Sequence, residues 1–186
     1  IGLHVLGFHK IQGINLNAEW RALYPGAEWL ETFNVVEHDV EKDPLPFADA
    51  SYDAVLFTEV LEHIAVRNPV WVAGEMCRVL RPGGRVIFST PNVCNISNMY
   101  ALMMGKNIFW DPGVFYGSLD RHNREYTISE VTACFTSAGF SQEYLWAIND
   151  HSNWRGGGNE FAYEYTARYG DDHVLTRNTT LGIYKK

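Results

Sequence analysis

The sequence predicts an α/β fold of the doubly wound class, a mostly parallel sheet whose strands are joined by helical crossovers. Three observations carry that expectation. Apolar runs of strand length alternate with segments of helical periodicity along the chain. The runs are continuous rather than alternating, as strands covered on both faces require. The run Asp53-Ala-Val-Leu-Phe-Thr-Glu-Val-Leu-Glu-His-Ile64 drives an apolar strand straight into two carboxylates and an imidazole. Open α/β sheets bind their ligands at such polar strand ends.

Lys10 to Leu16 is a short strand-like run, and Asn17 can cap the helix expected over the residues that follow it. Phe33 to His38 is the next strand, closed by the polar, proline-bearing segment Asp39 to Asp49. Tyr52 to Phe57 is the third apolar run. From Asn68 to Leu80 the positions Val72, Met76, Val79 and Leu80 recur at helical spacing, and Arg81-Pro-Gly-Gly-Arg85 stops that helix before the strand Val86 to Thr90. The pattern loosens after Pro91 into a segment rich in Asn, Met, Gly and aromatics, read as a lid or acceptor wall over about residues 92–126. Thr127-Ile-Ser-Glu130 has the spacing of a capping box, and the helix it opens should stop at Gly139. Gln142 to Ile148 and Asn178 to Tyr184 read as two closing strands. The connection between them, about 150–172, is long enough to be functional or mobile.

A chain of 186 residues, 46% of them hydrophobic, can bury one sizeable core, and with no break in composition a single domain over 1–186 is expected. The net charge of -7 and the lack of a dense basic run argue against extended contact with nucleic acid. No apolar stretch approaches the roughly 20 residues that span a bilayer, so a cytoplasmic protein with no membrane partner is expected. Cys77, Cys94 and Cys134 are far apart and odd in number, which suits reduced core thiols better than a disulfide frame.

Glu59-Val-Leu-Glu-His63, followed by Val79-Leu-Arg-Pro-Gly-Gly-Arg-Val-Ile-Phe88, resembles a class I S-adenosylmethionine-dependent methyltransferase. Three further pieces match in order: the Gly13-Ile-Asn15 strand end, the Asp39-to-Phe47 turn, and His122-Asn-Arg-Glu-Tyr-Thr127 before a helix ending Ala138-Gly-Phe140. The resemblance runs from about Lys10 onward. It implies a Rossmann-like, seven-stranded sheet whose last two strands form an antiparallel hairpin, and S-adenosylmethionine as cofactor. Carried over by position, it implies Asn15 at the ribose hydroxyls, Asp39 and Val40 at the adenine, and Thr58 and Glu59 beside the methionine portion. Asn15 departs from the acidic residue usual there; an amide accepts from a hydroxyl but brings no charge. The glycine-rich cofactor turn is not found in Ile1 to His9, where Gly2 and Gly7 stand too far apart. The expectation is that the turn lies upstream of the sequence given; a shortened fold that binds no cofactor is the competing reading.

Methyl transfer from a sulfonium is an in-line displacement, so the protein must align the acceptor and remove its proton. His63 and His122 are the candidate bases for a hydroxyl acceptor. If the residues after Thr58 turn helical, Glu59, Glu62 and His63 share one face. With His122 they would then make a two-carboxylate, two-imidazole set for a divalent metal such as Mg, which lowers the pKa of a bound hydroxyl. That set resembles the metal site of ubiquinone-biosynthesis O-methyltransferases and of small-RNA terminal 2'-O-methyltransferases. The competing reading has Glu59 capping backbone donors, His63 packed against the next strand and Arg121 to Glu125 as a solvated charged turn. Phe109, Trp110, Phe115 and Tyr116 are either an acceptor wall or core filler under a lid. The leading function is O-methylation of a small-molecule hydroxyl, on a phenol, sugar or polyol. The alternatives are an RNA-terminal 2'-O-methyltransferase and a non-catalytic protein of this fold. A nicotinamide enzyme ranks last for want of Gly-x-Gly-x-x-Gly after a first strand.

Overall fold

The computed structural model describes residues 10–15, 35–117, 121–148, 164, 167–168 and 177–186. The helix expected after Asn17, most of the 150–172 connection and the stretch before Lys10 lie outside them. The chain forms two compact units, Ile1–Pro46 and Phe47–Lys186.

In the first unit, β1 (Gly13–Asn15) pairs in parallel with β2 (Val35–Glu37). Gly13 lies against Val35 across this pair, where a β-carbon would come within 3.1 Å of the valine methyl. Asp39 follows β2 as a turn residue. Its Oδ1 accepts from the Glu41 amide at 2.9 Å and its Oδ2 meets Lys42 Nζ at 2.9 Å.

The second unit is a four-stranded sheet of order β3-β4-β6-β5, formed by β3 (Tyr52–Thr58), β4 (Leu80–Pro91), β6 (Thr179–Lys185) and β5 (Ser141–Ile148). β3 and β4 run parallel, while β6 is antiparallel to both of its neighbours. The antiparallel pairing of the last two strands is therefore present. Among the described residues the strands form one sheet of two and one of four, where seven strands in one sheet were expected. The Arg81-Pro-Gly-Gly turn lies inside β4 as an irregularity, since Tyr52 pairs with Leu80 and Ala54 already with Arg85. Gly83, at φ +81°, takes the left-handed conformation this detour needs.

Helix α1 (Pro69–Val79) starts where Asn68 accepts from the Val70 amide, with Pro69 in the first turn, where its missing N–H is not needed. The loosely patterned segment after Pro91 holds two helices, α2 (Ile96–Met103) and α3 (Pro112–Gly117). Helix α4 (Ile128–Ser137) carries the expected capping box, with Thr127 and Glu130 satisfying each other's backbone donors, and Gly139 at φ +96° follows its end. Cys134 lies buried on α4, Cys77 is half-buried, and Cys94 is at the surface, so the core-thiol reading holds for Cys134 and fails for Cys94.

Strand parity puts Phe57, Val86, Phe88, Ala147 and Tyr184 on one face of the sheet, and all five are buried. Helices α1 and α4 pack against each other, with Val72, Met76, Val79, Val131 and Phe135 buried on them. The core centres on Phe135, stacked on Tyr184 at 4.6 Å and tilted against Phe88 at 4.9 Å. The opposite parity leaves Leu56, Ile87, Tyr144, Trp146 and Ile148 exposed. No described helix is long and apolar enough to cross a membrane.

Gly182 is what lets Phe88 lie flat in this core, because a β-carbon there would stand 2.1 Å from the phenyl Cε1. Overpacking of this kind costs about 1–3 kcal/mol. Gly182→Ala should lower the urea midpoint accordingly, and Phe88→Leu in the same chain should restore part of it; an unchanged midpoint in Gly182→Ala would show that the ring is free to move.

Candidate functional site

The site grows from the end of β3. Phe57 is buried, Thr58 is exposed, and Glu59 takes φ +52°, a left-handed conformation uncommon for a residue other than glycine. The chain turns there and makes one 3-10 turn, Leu61–His63, instead of the helix expected. Glu59 consequently does not share a face with Glu62 and His63. Its amide donates to the Ser89 carbonyl at 2.9 Å and its carboxylate accepts from the Ser89 hydroxyl at 2.5 Å, which fastens the turn to β4.

Glu62 is fully buried. Its Oε2 accepts from the Thr90 hydroxyl at 2.9 Å, while Oε1 has no hydrogen-bond partner among the described residues and stands 3.9 Å from His63 Nε2. Burial pushes this carboxyl up to about 7 against the bond from Thr90, with the nearby Glu59 charge adding to the rise and His122 opposing it.

The two imidazoles are fixed by their Nδ1 atoms. His63 Nδ1 lies 2.9 Å from the Arg121 carbonyl, which can only accept, so Nδ1 carries the proton and Nε2 keeps its lone pair when the ring is neutral. His122 Nδ1 lies 3.0 Å from Glu125 Oε1, which imposes the same tautomer. That bond to Glu125 holds the His122 pKa above the usual imidazole range, against the effect of burial. The rings meet edge to face at 5.1 Å. One oxygen or nitrogen from each of Glu62, His63 and His122 lies within 4.8 Å of the others. Donors sharing a cation at about 2.1 Å each stand no more than about 4.2 Å apart, so a small side-chain adjustment would close the set.

His122 also borders a recess whose apolar side is Val93, Ile108, Phe109 and Trp110 and whose polar side includes Glu125. Trp110 meets the His122 ring edge to face at 5.4 Å. Phe115 and Tyr116 contact each other on α3. Arg124 pairs with Glu130 and covers the Tyr126 ring.

The structure thus brings together Glu62, His63 and His122, and puts Thr58 and Glu59 at the strand end that leads to them. Asn15 and Asp39 belong to the first unit, where the Asn15 carbonyl accepts from the His38 amide at 3.0 Å and Val40 is half-buried beside the Asp39 turn. Burial works against ionisation of Asp39, but Lys42 and the Glu41 amide hold its carboxyl below the usual range. Sequence reasoning missed Thr90, Asn123 and Glu125. Only Glu125 left a trace, three residues after His122.

A family model described as a methyltransferase domain matches residues 3–88. A protein of Mycolicibacterium smegmatis named "Probable S-adenosylmethionine-dependent methyltransferase" is 32% identical over 126 residues, 68% of this chain and 40% of that protein. A ubiquinone biosynthesis O-methyltransferase of Maricaulis maris is 29% identical over 142 residues, 76% of this chain and 52% of that protein. The chain therefore spans about half the length of these relatives or less. The crystal structure of an S-adenosylmethionine-dependent methyltransferase from Mesorhizobium loti superposes with a TM-score of 0.62 at 15% identity, covering 98% of this chain and 83% of that one.

Glu62 titrates above its unfolded value of 4.5, so its neutral form stabilises the fold below that pH, and the contribution is lost as pH rises to about 7. The loss amounts to about 3 kcal/mol at most. In chelator, the wild type should lose stability relative to Glu62→Gln across that window in chemical unfolding; parallel curves would mean that Glu62 is ionised at no cost.

Proposed function

Because the chain belongs to the class I S-adenosylmethionine-dependent methyltransferase superfamily, we propose that it transfers the sulfonium methyl to a hydroxyl of a small molecule, with His122 as the base. The observation that carries this reading is the placement of His122 at the wall of the recess, with Nδ1 engaged by Glu125 and Nε2 left to receive a proton. A base is what a hydroxyl acceptor needs and an amine mostly does not, because a neutral amine already offers its lone pair. His63, in the same tautomer, is the second imidazole of the site. The recess itself, about 10 Å³, admits no more than a water, so the choice of a phenol, sugar or polyol rests on the resemblance, and Val93, Ile108, Phe109 and Trp110 are the apolar side chains such an acceptor would meet beside His122. The name of the Maricaulis maris relative, an O-methyltransferase, supports the choice of oxygen. The net charge of -7 favours a small molecule over an RNA end.

S-adenosylmethionine supplies the electrophilic methyl. By position, Asn15, Asp39 and Val40 are assigned to its nucleoside, and Thr58 and Glu59 to its methionine part. Thr58 is open to solvent at the strand end, which suits that assignment.

A metal-assisted variant of the same reaction is the second reading, favoured by the three converging donors and by the unpartnered Glu62 Oε1. Glu62, His63 and His122 would hold the cation; Glu59, tied to Ser89, would not. A divalent ion supplies charge that acidifies a hydroxyl and fixes two vicinal oxygens.

Labelled methyl transfer from S-adenosylmethionine, screened against catechols, simple phenols and polyols, tests the proposal. His122→Ala should lower kcat by about 10²- to 10⁴-fold. Transfer without an oxygen acceptor, or undiminished in His122→Ala, would overturn it, and no heat with S-adenosylhomocysteine in calorimetry of the full-length protein would point to a non-catalytic binder. Chelator separates the two readings: activity abolished by it and restored by Mg or Mn selects the metal, and full activity in its presence selects the unaided base.

A further inference from the structure

The segment that carries His122 is joined to the turn that carries Glu62 and His63 by a set of hydrogen bonds, and Asn123 stands at their centre. Its backbone N–H donates to the Glu62 carbonyl at 2.8 Å, and its side-chain Nδ2 donates to the His63 carbonyl at 2.7 Å. Its Oδ1 accepts from Arg121 Nε at 3.2 Å. The Arg124 amide adds a second donor to the Glu62 carbonyl at 3.2 Å, so both lone pairs of that oxygen are engaged. The His63 ring returns the contact by donating Nδ1 to the Arg121 carbonyl. Two segments about sixty residues apart in sequence are thereby locked in one register.

This position demands an amide. The side chain must donate to a carbonyl and accept from a guanidinium at the same time, at the reach of one methylene. Aspartate has the reach but no donor, and alanine has neither group. Arg121 extends the connection outward: its Nη1 donates to the Phe115 carbonyl at 3.2 Å and its guanidinium lies 4.9 Å over the Phe115 ring on α3. The pose of α3 and the spacing of the two imidazoles are thus set by one chain of contacts.

We infer that Asn123 is the positioning residue of the proposed methyl-transfer site, holding His122 in register with Glu62 and His63 and tying that register through Arg121 to α3. The role rests on the reading of His122 as the base and adds to it. Asn123 itself touches no reacting atom.

Asn123→Asp and Asn123→Ala test this in the full-length protein by two measurements. In turnover with S-adenosylmethionine, kcat should fall by up to about tenfold, the effect of losing one well-made, half-buried hydrogen bond. The KM for S-adenosylmethionine should move by less than about twofold, because an interaction that aligns the base is not a cofactor contact. In long-range nitrogen–proton correlation spectra, recorded alkaline of the imidazole range, the wild type should show His63 protonated on Nδ1. Both variants should shift His63 toward the Nε2-protonated form as the Arg121 carbonyl moves away. Arg121→Met, which removes the guanidinium partner and leaves the Asn123 donors, should give a smaller shift in the same direction and stands in if Asn123→Ala does not fold. An unchanged His63 tautomer with unchanged kcat in both Asn123 variants overturns the inference. A tautomer shift in a protein whose His122→Ala variant turns over normally keeps Asn123 as the positioning residue of the cluster and discards the base.

Discussion

The constraint on which the second unit's site depends is the burial of one carboxyl. Glu62 sits in the 3-10 turn beyond β3 with no exposure to solvent, one oxygen on Thr90 and the other without a hydrogen-bond partner among the described residues. A carboxylate removed from water in this way has three resolutions: it keeps a proton, it gains an imidazolium, or it gains a cation. Each is a piece of chemistry, and the surroundings of Glu62 are arranged so that each is within reach. Its backbone does as much as its side chain, because the same residue's carbonyl receives the amides of Asn123 and Arg124. The group that needs a partner thus also fixes the segment that delivers one.

The elements of the fold could be read from the sequence wherever their signal is local. The Thr127–Glu130 capping box, the Asn68–Pro69 helix start and the glycine after α4 each act within a few residues, and each stands where expected. The order of the strands is not local. That β6 lies between β4 and β5 follows from Phe88, Gly182 and Tyr184 sharing one core with Phe135, a contact between side chains far apart in sequence. The Leu80-Arg-Pro-Gly-Gly run was legible as a helix stop but not as a detour within a strand, since only pairing with Tyr52 and Ala54 makes it one.

The site divides in the same manner. Glu62, His63 and His122 were visible as residue types that carry proton and metal chemistry, and they converge. Glu59 was grouped with them by helical spacing, and its positive φ breaks that spacing before it starts. Asn123 and Thr90 gave no signal, because an amide and a hydroxyl become informative only through what they touch. Glu125 belonged by charge to a solvated turn; the ring it orients is what distinguishes it.

The insertion of β6 between β4 and β5 has a consequence for how the molecule is made. As the polypeptide leaves the ribosome, β3 and β4 can pair and α1 can dock, but β5 emerges with no strand to join, since its only described neighbour in the sheet is β6. Leu145 and Ala147, the core-facing residues of β5, therefore wait in the nascent chain, and β4 presents an unpaired edge, until the residues around Gly182 are synthesised. Such an interval exposes apolar surface and open backbone donors together, the state that chaperones bind and that self-associates when they do not.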